Sequence, residues 1–178
     1  MIRMNTNNLE IEKKYLVNNL DDVKKEVGIE KCKKIKIEQG YLSNNPTIRV
    51  RKYNDEYCIT YKSRLVSDTS DLKNNYDVIV NREVELPLTK ESYEHMLTKI
   101  DDNLVSKVRY NIELAGGLIA ELDVFEGKLD GLIMVEVEFE SEESARNFVK
   151  PQWFGEDVSS DIRYKNLFLS KLDSIHLL

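Results

Sequence analysis

The 178-residue chain has few of the residues that build disulfide frameworks or zinc centres, with two cysteines, two histidines and three prolines. Cys32 and Cys58 are too few and too unpatterned for either arrangement, so we expect two reduced, buried or half-buried thiols. His95 falls in a helical pattern and His176 lies in the C-terminal tail. Catalysis by a Ser/His or Cys/His pair is therefore not indicated.

Long hydrophobic runs are absent as well. The segment Met1 to Leu9 is polar and asparagine-rich, unlike a signal peptide, and no apolar run approaches membrane-spanning length. The net charge of -6 and the pI of 5.1 argue against a dedicated nucleic-acid partner, because phosphate backbones call for a basic face. We expect one cytoplasmic domain over residues 1–178, monomeric or homodimeric, with no membrane partner.

Most of the chain alternates between apolar and polar residues with a period of two, which predicts β-strands. Breaks rich in Gly, Asn and Asp, such as Asn54-Asp55 and Gly116-Gly117, favour tight antiparallel hairpins. Eight strands are predicted: Leu9 to Val17, Lys34 to Ser43, Thr47 to Asn54, Glu56 to Arg64, Asp77 to Leu88, Leu104 to Leu114, Leu118 to Glu126 and Leu132 to Glu140.

Helical patterns occupy the gaps between the strands, and Thr89 and Ser141 stand where N-caps are expected. The polar stretch Ser63 to Asn75 is predicted to be a long loop. Four helices are predicted: Asn19 to Val27, Thr89 to Ile100, Glu142 to Val149 and about Ser160 to Ile175.

The polar faces of the predicted strands carry charges in sets that are mostly of one sign. Any single strand of this kind could belong to an ordinary half-solvated sheet. Seven such strands favour another arrangement, because like charges two positions apart repel unless a counter-charge or a multivalent ligand lies between them. The sets are Glu10, Glu12 and Lys14; Arg49 and Arg51; Thr60 and Lys62; Glu83 and Glu85; Lys107 and Arg109; Glu121 and Asp123; and Glu136 and Glu138.

We therefore predict an α+β fold, an eight-stranded antiparallel closed β-barrel with its charged face inside and helices packed on the outside. Its basic residues would bind a polyanion: Lys14, Arg49, Arg51, Lys62, Lys107 and Arg109. Its acidic residues would need Mg²⁺ or Mn²⁺ between themselves and that anion. They are Glu10, Glu12, Glu83, Glu85, Glu121, Asp123, Glu136 and Glu138.

Several motifs, taken together, resemble the CYTH superfamily, also called triphosphate tunnel metalloenzymes. The first is the ExExK motif from Glu10 to Lys14, and the similarity spans roughly residues 9 to 170. The others, in family order, are Gln39-Gly-Tyr41-Leu, Arg49-Val-Arg51, Thr60-Tyr-Lys62, Arg82-Glu83-Val-Glu85, Lys107-Val-Arg109-Tyr, Glu121-Leu-Asp123-Val-Phe-Glu-Gly127, Gly131-Leu, Val135-Glu136-Val-Glu138-Phe and Asp161-Ile-Arg163-Tyr-Lys-Asn166.

The resemblance implies a tunnel that binds a triphosphate on the six basic residues above and on Arg163, in a helix that closes one mouth. It also implies metal ligands at Glu10, Glu12, Glu136 and Glu138, which with Lys14 form the predicted catalytic set. The sequence departs from the family at Asn81, where an arginine is common, and Arg82 stays unassigned.

The predicted activity is metal-dependent hydrolysis of a triphosphate, most similar to the inorganic triphosphatases of the superfamily. Phosphoryl transfer asks mainly for positioning and charge neutralisation, which this residue set supplies. Two other enzymatic readings stay open, a class IV adenylate cyclase and a thiamine triphosphatase. A non-catalytic polyphosphate-binding module is a further alternative, although the full set of carboxylates argues against it. A barrel that carries an apolar ligand fits the charge pattern poorly.

Overall fold

A computed structural model of the chain describes residues 11–64 and 81–178. It confirms all eight predicted strands, with ends that move by a few residues. Glu10, most of the predicted loop and the start of the fifth predicted strand lie outside the described residues. The strands are β1 (Ile11–Leu16), β2 (Lys33–Asn44), β3 (Thr47–Tyr53), β4 (Glu56–Arg64), β5 (Asn81–Leu88), β6 (Val105–Glu113), β7 (Ile119–Glu126) and β8 (Ile133–Phe139).

The strands form one antiparallel sheet in the order β1-β8-β7-β6-β2-β3-β4-β5. Hairpin partners lie side by side, as the turn residues predict. At the β3–β4 turn Asn54 takes a positive φ of 52°, a conformation that asparagine tolerates better than most residues. The ladder fixes which side chains share a face, since directly paired residues project to the same side.

The described helices are α1 (Leu20–Val27), α2 (Lys90–Leu97), α3 (Glu142–Asn147) and α4 (Asn166–Leu169). The first three confirm the prediction, and the side chains of Asn19, Thr89 and Ser141 cap them.

The prediction of a long fourth helix, from about Ser160 to Ile175, is wrong. The chain instead makes a 3-10 turn over Ile162–Tyr164, the one-turn α4, and a second 3-10 turn over Ile175–Leu177. Lys165 has extended backbone angles and separates the first turn from α4, so the helical apolar spacing was misleading here.

One hydrophobic core lies on the outer face of the sheet. Outward residues of β1, β7 and β8, such as Tyr15, Leu122 and Val137, pack under α1 and α3. Trp153 and Phe154 complete this layer, with ring centroids 4.3 Å apart. The predicted placement of helices outside the sheet is therefore confirmed for this half of the molecule.

A second core closes one end of the inner face. It packs Val105, Phe125 and Met134 against Leu169 and Leu172 of the C-terminal segment. Each of the three strand residues lies two positions from a charged residue on the same face. The inner face thus has an apolar end and a charged remainder.

The expected β1–β5 ladder that would close a barrel is not confirmed, since the described residues show none. The free edge of β1 bonds instead to the segment 155–159. The backbone N–H of Leu16 donates to the Glu156 carbonyl at 2.9 Å, and that of Val158 donates to the Lys14 carbonyl at 2.8 Å. Along Lys14 to Leu16, this edge is therefore unavailable to another strand. None of the described helices is long and apolar enough to cross a membrane.

Candidate functional site

The charged faces of β1, β6, β7 and β8 have a buried centre, although their ends reach solvent. Lys107 is 1% exposed and Asp123 is 0% exposed, and Lys14 and Glu136 are buried as well. Charged groups are seldom buried so deeply unless they are paired. The sign pattern of the sequence predicted that these charges would not simply face water. The burial of their centre in this half of the sheet agrees with that prediction.

Asp123 on β7 organises the basic residues of β6. One of its carboxylate oxygens lies 2.5 Å from Lys107 Nζ, and both accept hydrogen bonds of 2.7 Å from the Arg109 guanidinium. Arg109 also pairs with Glu121 and, at 3.2 Å, with Glu136. Because β6 and β7 pair Arg109 opposite Asp123, the ladder itself sets up this network.

Burial and charge act in opposite directions on these groups. Burial acts to lower the pKa of Arg109, but Asp123, Glu136 and Glu121 outweigh it and hold the pKa well above its usual value. For Lys107 complete burial prevails and lowers the pKa, with Asp123 acting against the shift. Lys107 therefore depends on Asp123 to remain charged.

Lys14 and Glu136 form a second buried pair, directly opposite each other on β1 and β8, with Nζ and Oε1 2.8 Å apart. Burial acts to raise the pKa of Glu136, but Lys14, Lys107 and Arg109 overcome it and lower the pKa well below its usual value. The pKa of Lys14 is raised, because the attraction of Glu136 and Glu12 exceeds the effect of burial. Both groups are therefore ionised at neutral pH.

The other half of the sheet holds the remaining predicted phosphate ligands. Arg49 on β3 and Lys62 on β4 both lie 3.4 Å from the carboxylate of Glu83 on β5. Within the described residues Arg49 Nε is buried and has no hydrogen-bond partner. On the neighbouring inward positions, the Thr60 hydroxyl donates to Glu85 at 3.3 Å.

Arg51 is held differently, by neutral groups. Its Nε donates to the side-chain Oε1 of Gln39 at 3.1 Å, and one terminal nitrogen donates to the Tyr53 hydroxyl. The Gln39 amide nitrogen donates to the Tyr41 hydroxyl at 3.3 Å. The sequence analysis placed Gln39 and Tyr41 in a motif of the family without assigning either a contact to Arg51, and it did not single out Tyr53. The available signal was the alternation of the strands. Gln39 and Tyr41 are two positions apart on β2, and Arg51 and Tyr53 are two positions apart on β3, so each pair shares a face.

The inner face of the sheet is concave between β1 and β2. Lys14 contributes to the pKa of Tyr41, which burial raises and which Arg49, Arg51 and Lys14 act to lower. These two residues are four strands apart in the ladder, which on a flat sheet would separate them by about 19 Å at roughly 4.8 Å per strand. A shared electrostatic environment over that interval requires the inner face to be concave.

Within the part of the chain that the structure describes, the residues predicted to bind metal do not form one cluster and differ in burial. Glu10 lies outside the described residues, and within those residues no three His, Cys, Asp or Glu side chains are grouped closely enough to hold a metal ion. Asp123 and Glu136 serve buried ion pairs. Glu12 and Glu138 are directly opposite each other on β1 and β8, and both are exposed.

Arg163 is on the surface, away from the buried pairs. Its guanidinium donates to the Asp161 carboxylate at 2.6 Å and to the Leu178 carbonyl at 3.0 Å. The same turn does approach the site through its backbone, because Lys14 Nζ donates to the Tyr164 carbonyl at 3.5 Å. The structure thus brings the 162–164 turn to the interior without bringing the Arg163 side chain there.

Comparison with known proteins agrees with this geometry. A family model described as the CYTH domain matches residues 8–167. An inorganic triphosphatase of Nitrosomonas europaea is 35% identical over 90% of this chain and 96% of its own length. An inorganic triphosphatase of Acetivibrio thermocellus is 31% identical over 91% of this chain and 93% of its own.

Solved structures give the same fold. A crystal structure of an inorganic triphosphatase superposes with a TM-score of 0.65 at 34% identity, covering 90% of this chain and 93% of the other. A Hippeastrum protein described as a putative adenylyl cyclase with dominant triphosphatase activity matches at a TM-score of 0.51 and 18% identity, over 77% of this chain and 82% of its own, and shows the fold alone. Together with the buried basic and acidic sets on one concave face, these matches establish that the chain belongs to the CYTH family.

Proposed function

We propose that this protein hydrolyses a triphosphate, with inorganic tripolyphosphate as the substrate and Mg²⁺ or Mn²⁺ as the cofactor. The observation that carries the proposal is the set of basic side chains held in place on one concave face, where they are buried or half-buried. Fixed donors and charges are what phosphoryl transfer requires, since its transition state gains little from covalent chemistry by the protein. The two relatives named inorganic triphosphatases, at 35% and 31% identity, support the choice of substrate.

The basic residues bind the phosphates in two groups. Lys14, Lys107 and Arg109 are fixed by carboxylates, whereas Arg51 is fixed by neutral groups and, among the described residues, has no carboxylate at ion-pair distance. Arginine offers paired N–H donors that match two phosphate oxygens, and lysine offers a point charge. We therefore propose that both groups orient the two ends of the tripolyphosphate, and that Arg51 attracts it most strongly.

The charge balance of the inner face supports a cation cofactor. The described inward side chains include six basic and seven acidic groups. A substrate with several negative charges would leave this face strongly anionic, so divalent cations would have to accompany it. The basic set is Lys14, Arg49, Arg51, Lys62, Lys107 and Arg109, and the acidic set is Glu12, Glu83, Glu85, Glu121, Asp123, Glu136 and Glu138.

Glu12 and Glu138 fit a Mg²⁺ or Mn²⁺ ion better than the other carboxylates do. They face each other across the β1–β8 ladder, with Lys14 4.0 Å from Glu12, and a divalent cation would further reduce the repulsion between two like charges placed directly opposite. Both are hard oxygen ligands, and Mg²⁺ usually takes one or two carboxylates together with water and phosphate oxygens. When bound, the ion would neutralise charge on the phosphates and favour attack by water.

In the proposed reaction the side chains of the protein orient the substrate and stabilise the negative charge that develops on its oxygens. A water oxygen forms a bond to the terminal phosphorus, the bridging P–O bond breaks, and pyrophosphate leaves with the electron pair, while the protons of the water pass to the phosphate products and to solvent. Arg51, Lys107 and Arg109 stabilise the leaving oxygens, and Glu12 orients the water from the exposed end of β1. The ion pair with Glu136 holds Lys14 in place between these groups.

We propose further that the curved sheet encloses a tunnel, with segment 155–159 completing its wall beside β1. The support is the burial of Lys14 and its influence on Tyr41 four strands away. The apolar end formed with Leu169 and Leu172 would close one mouth. Cytoplasmic location, a single domain over residues 1–178, and a monomeric or homodimeric state stay predictions.

The direct test is phosphate release from tripolyphosphate by the purified protein, with and without added Mg²⁺ or Mn²⁺. We expect turnover only with the metal. Parallel assays with ATP, resolving cyclic AMP from ADP, and with thiamine triphosphate test the cyclase and thiamine triphosphatase alternatives. Binding of tripolyphosphate without turnover under every metal condition would refute hydrolysis and favour a binding module.

A further inference from the structure

Gln39 on β2 is a fully buried amide on the charged face of the sheet. It is 0% exposed, and it is paired in register with Arg51 on one side and Val105 on the other. A buried amide needs hydrogen bonds, because leaving its polar groups unsatisfied is costly. Gln39 uses both ends of its side chain, accepting from Arg51 Nε at 3.1 Å and donating to the Tyr41 hydroxyl at 3.3 Å.

The partners of Arg51 set it apart from the other five basic residues of the inner face. Each of those has a carboxylate within 4.0 Å, as at Lys107 with Asp123 and at Arg49 with Glu83. Within residues 11–64 and 81–178, Arg51 has no carboxylate at ion-pair distance, and its second terminal nitrogen makes no hydrogen bond. Its guanidinium is therefore oriented by neutral groups.

We propose that Gln39 is a positioning residue that fixes the Arg51 guanidinium for a phosphate while leaving its charge uncompensated. A carboxylate in the same place would hold Arg51 equally well, but an incoming phosphate would have to displace or tolerate that negative charge. A neutral carbonyl imposes no such competition. The proposal rests on the proposed function, and it adds a residue that acts through Arg51 rather than on the substrate itself.

The test is a double-mutant cycle between Gln39 and Arg51. Gln39→Met keeps the side-chain length and removes the hydrogen bonds, so we expect KM for tripolyphosphate to rise roughly tenfold, as for loss of one hydrogen bond to a charged group. We expect kcat to change by less than about threefold, because the substrate phosphates are still aligned by the remaining residues. In an Arg51→Ala background, Gln39→Met should cost almost nothing further.

Gln39→Glu separates orientation from charge. The carboxylate can still accept from Arg51 Nε, but it neutralises the guanidinium, so we expect weaker tripolyphosphate binding although the residue remains hydrogen-bonded. Wild-type affinity in Gln39→Glu would overturn the proposal, and so would a full, additive loss for Gln39→Met in the Arg51→Ala background. Gln39→Glu also covers the case in which Gln39→Met does not fold.

Ser170→Ala is the matched control. Ser170 is also 0% exposed, and its hydroxyl donates to the Leu167 carbonyl at 2.9 Å, outside the charged face. We expect it to lower the melting temperature without raising KM. Affinity is also measured as the thermal shift produced by tripolyphosphate, which needs no turnover. A wild-type protein that binds but does not hydrolyse would refute the proposed function and leave the Gln39 cycle fully testable.

Discussion

Removal of the Asp123 carboxylate should cost more stability than any other single change on the charged face. Asp123 is 0% exposed and contacts Lys107 at 2.5 Å and Arg109 at 2.7 Å. In Asp123→Asn the carboxamide keeps the shape of the side chain and loses its charge, which leaves a buried ammonium without its anionic partner. Breaking a buried pair in this way typically costs about 3–5 kcal/mol.

That free energy translates into a measurable melting temperature. For a chain of this length, each kcal/mol shifts the midpoint by roughly 2–4 °C, so the expected fall is about 6–20 °C at neutral pH. Differential scanning calorimetry of metal-free protein measures it. The metal-free condition matters, because Asp123 also belongs to the acidic set that the sequence predicted to bind metal.

Glu121→Gln is the matched control for this experiment. Glu121 lies two residues earlier on the same strand and also pairs with Arg109, but its side chain is 30% exposed and Asp123 would still hold Arg109. We expect a loss of no more than about 1 kcal/mol. Equal melting temperatures for the two variants, or an Asp123→Asn protein as stable as the wild type that needs more metal for activity, would refute the ion-pair account of Asp123.

Three further predictions follow from the same contacts. Because the folded-state pKa of Glu136 lies below its usual value of 4.5, its stabilisation is present above pH 4.5 and is lost as the pH falls; a Glu136→Gln protein should therefore lose less stability than the wild type between pH 7 and pH 3 in thermal unfolding. Gly155→Ala should destabilise the protein by about 1–3 kcal/mol in urea unfolding, since a Cβ there would lie 2.7 Å from the Leu16 carbonyl oxygen, and an unchanged midpoint would contradict the edge contact of β1. Cys58 is 7% exposed, and burial, with a smaller contribution from Glu85, raises the pKa of its thiol to about 12, so iodoacetamide at pH 8 should leave it unmodified until urea is added, as mass spectrometry can show.

The strands and their faces could be predicted because alternation is a local property. Arg49 and Arg51, or Glu136 and Glu138, share a face whenever their segment is a strand, whatever its neighbours are. The turn residues then favoured antiparallel neighbours, as at Asn54. This is why all eight strands and the burial of charge in β1, β6, β7 and β8 agree with the structure.

The partners within the charged face could not be predicted, because they depend on register between strands. Asp123 lies opposite Arg109 only because β6 and β7 pair at that offset. From the sequence, the acidic residues could be grouped by sign alone, so ion-pair partners and candidate metal ligands looked alike. Gln39 carries no charge and therefore did not enter that grouping at all.

The edge of β1 and the end of the chain were set by tertiary contacts. The segment 155–159 has no strand pattern of its own, yet it occupies the β1 edge where a closed ladder was expected. Similarly, the apolar residues after residue 160 have helical spacing, but Leu169 and Leu172 reach the inner core from a single helical turn and the residues after it. At both places tertiary packing overrode the local secondary-structure propensity of the sequence.

The most direct test of the account is a crystal structure of the metal-free protein with tripolyphosphate, in which turnover is not expected. We predict that the three phosphorus atoms lie on the concave face, with oxygens bound by Arg51 on one side and by Lys14 and Arg109 on the other. Tripolyphosphate bound only on the outer surface, with the buried ion pairs of Lys14 and Arg109 unchanged, would contradict it.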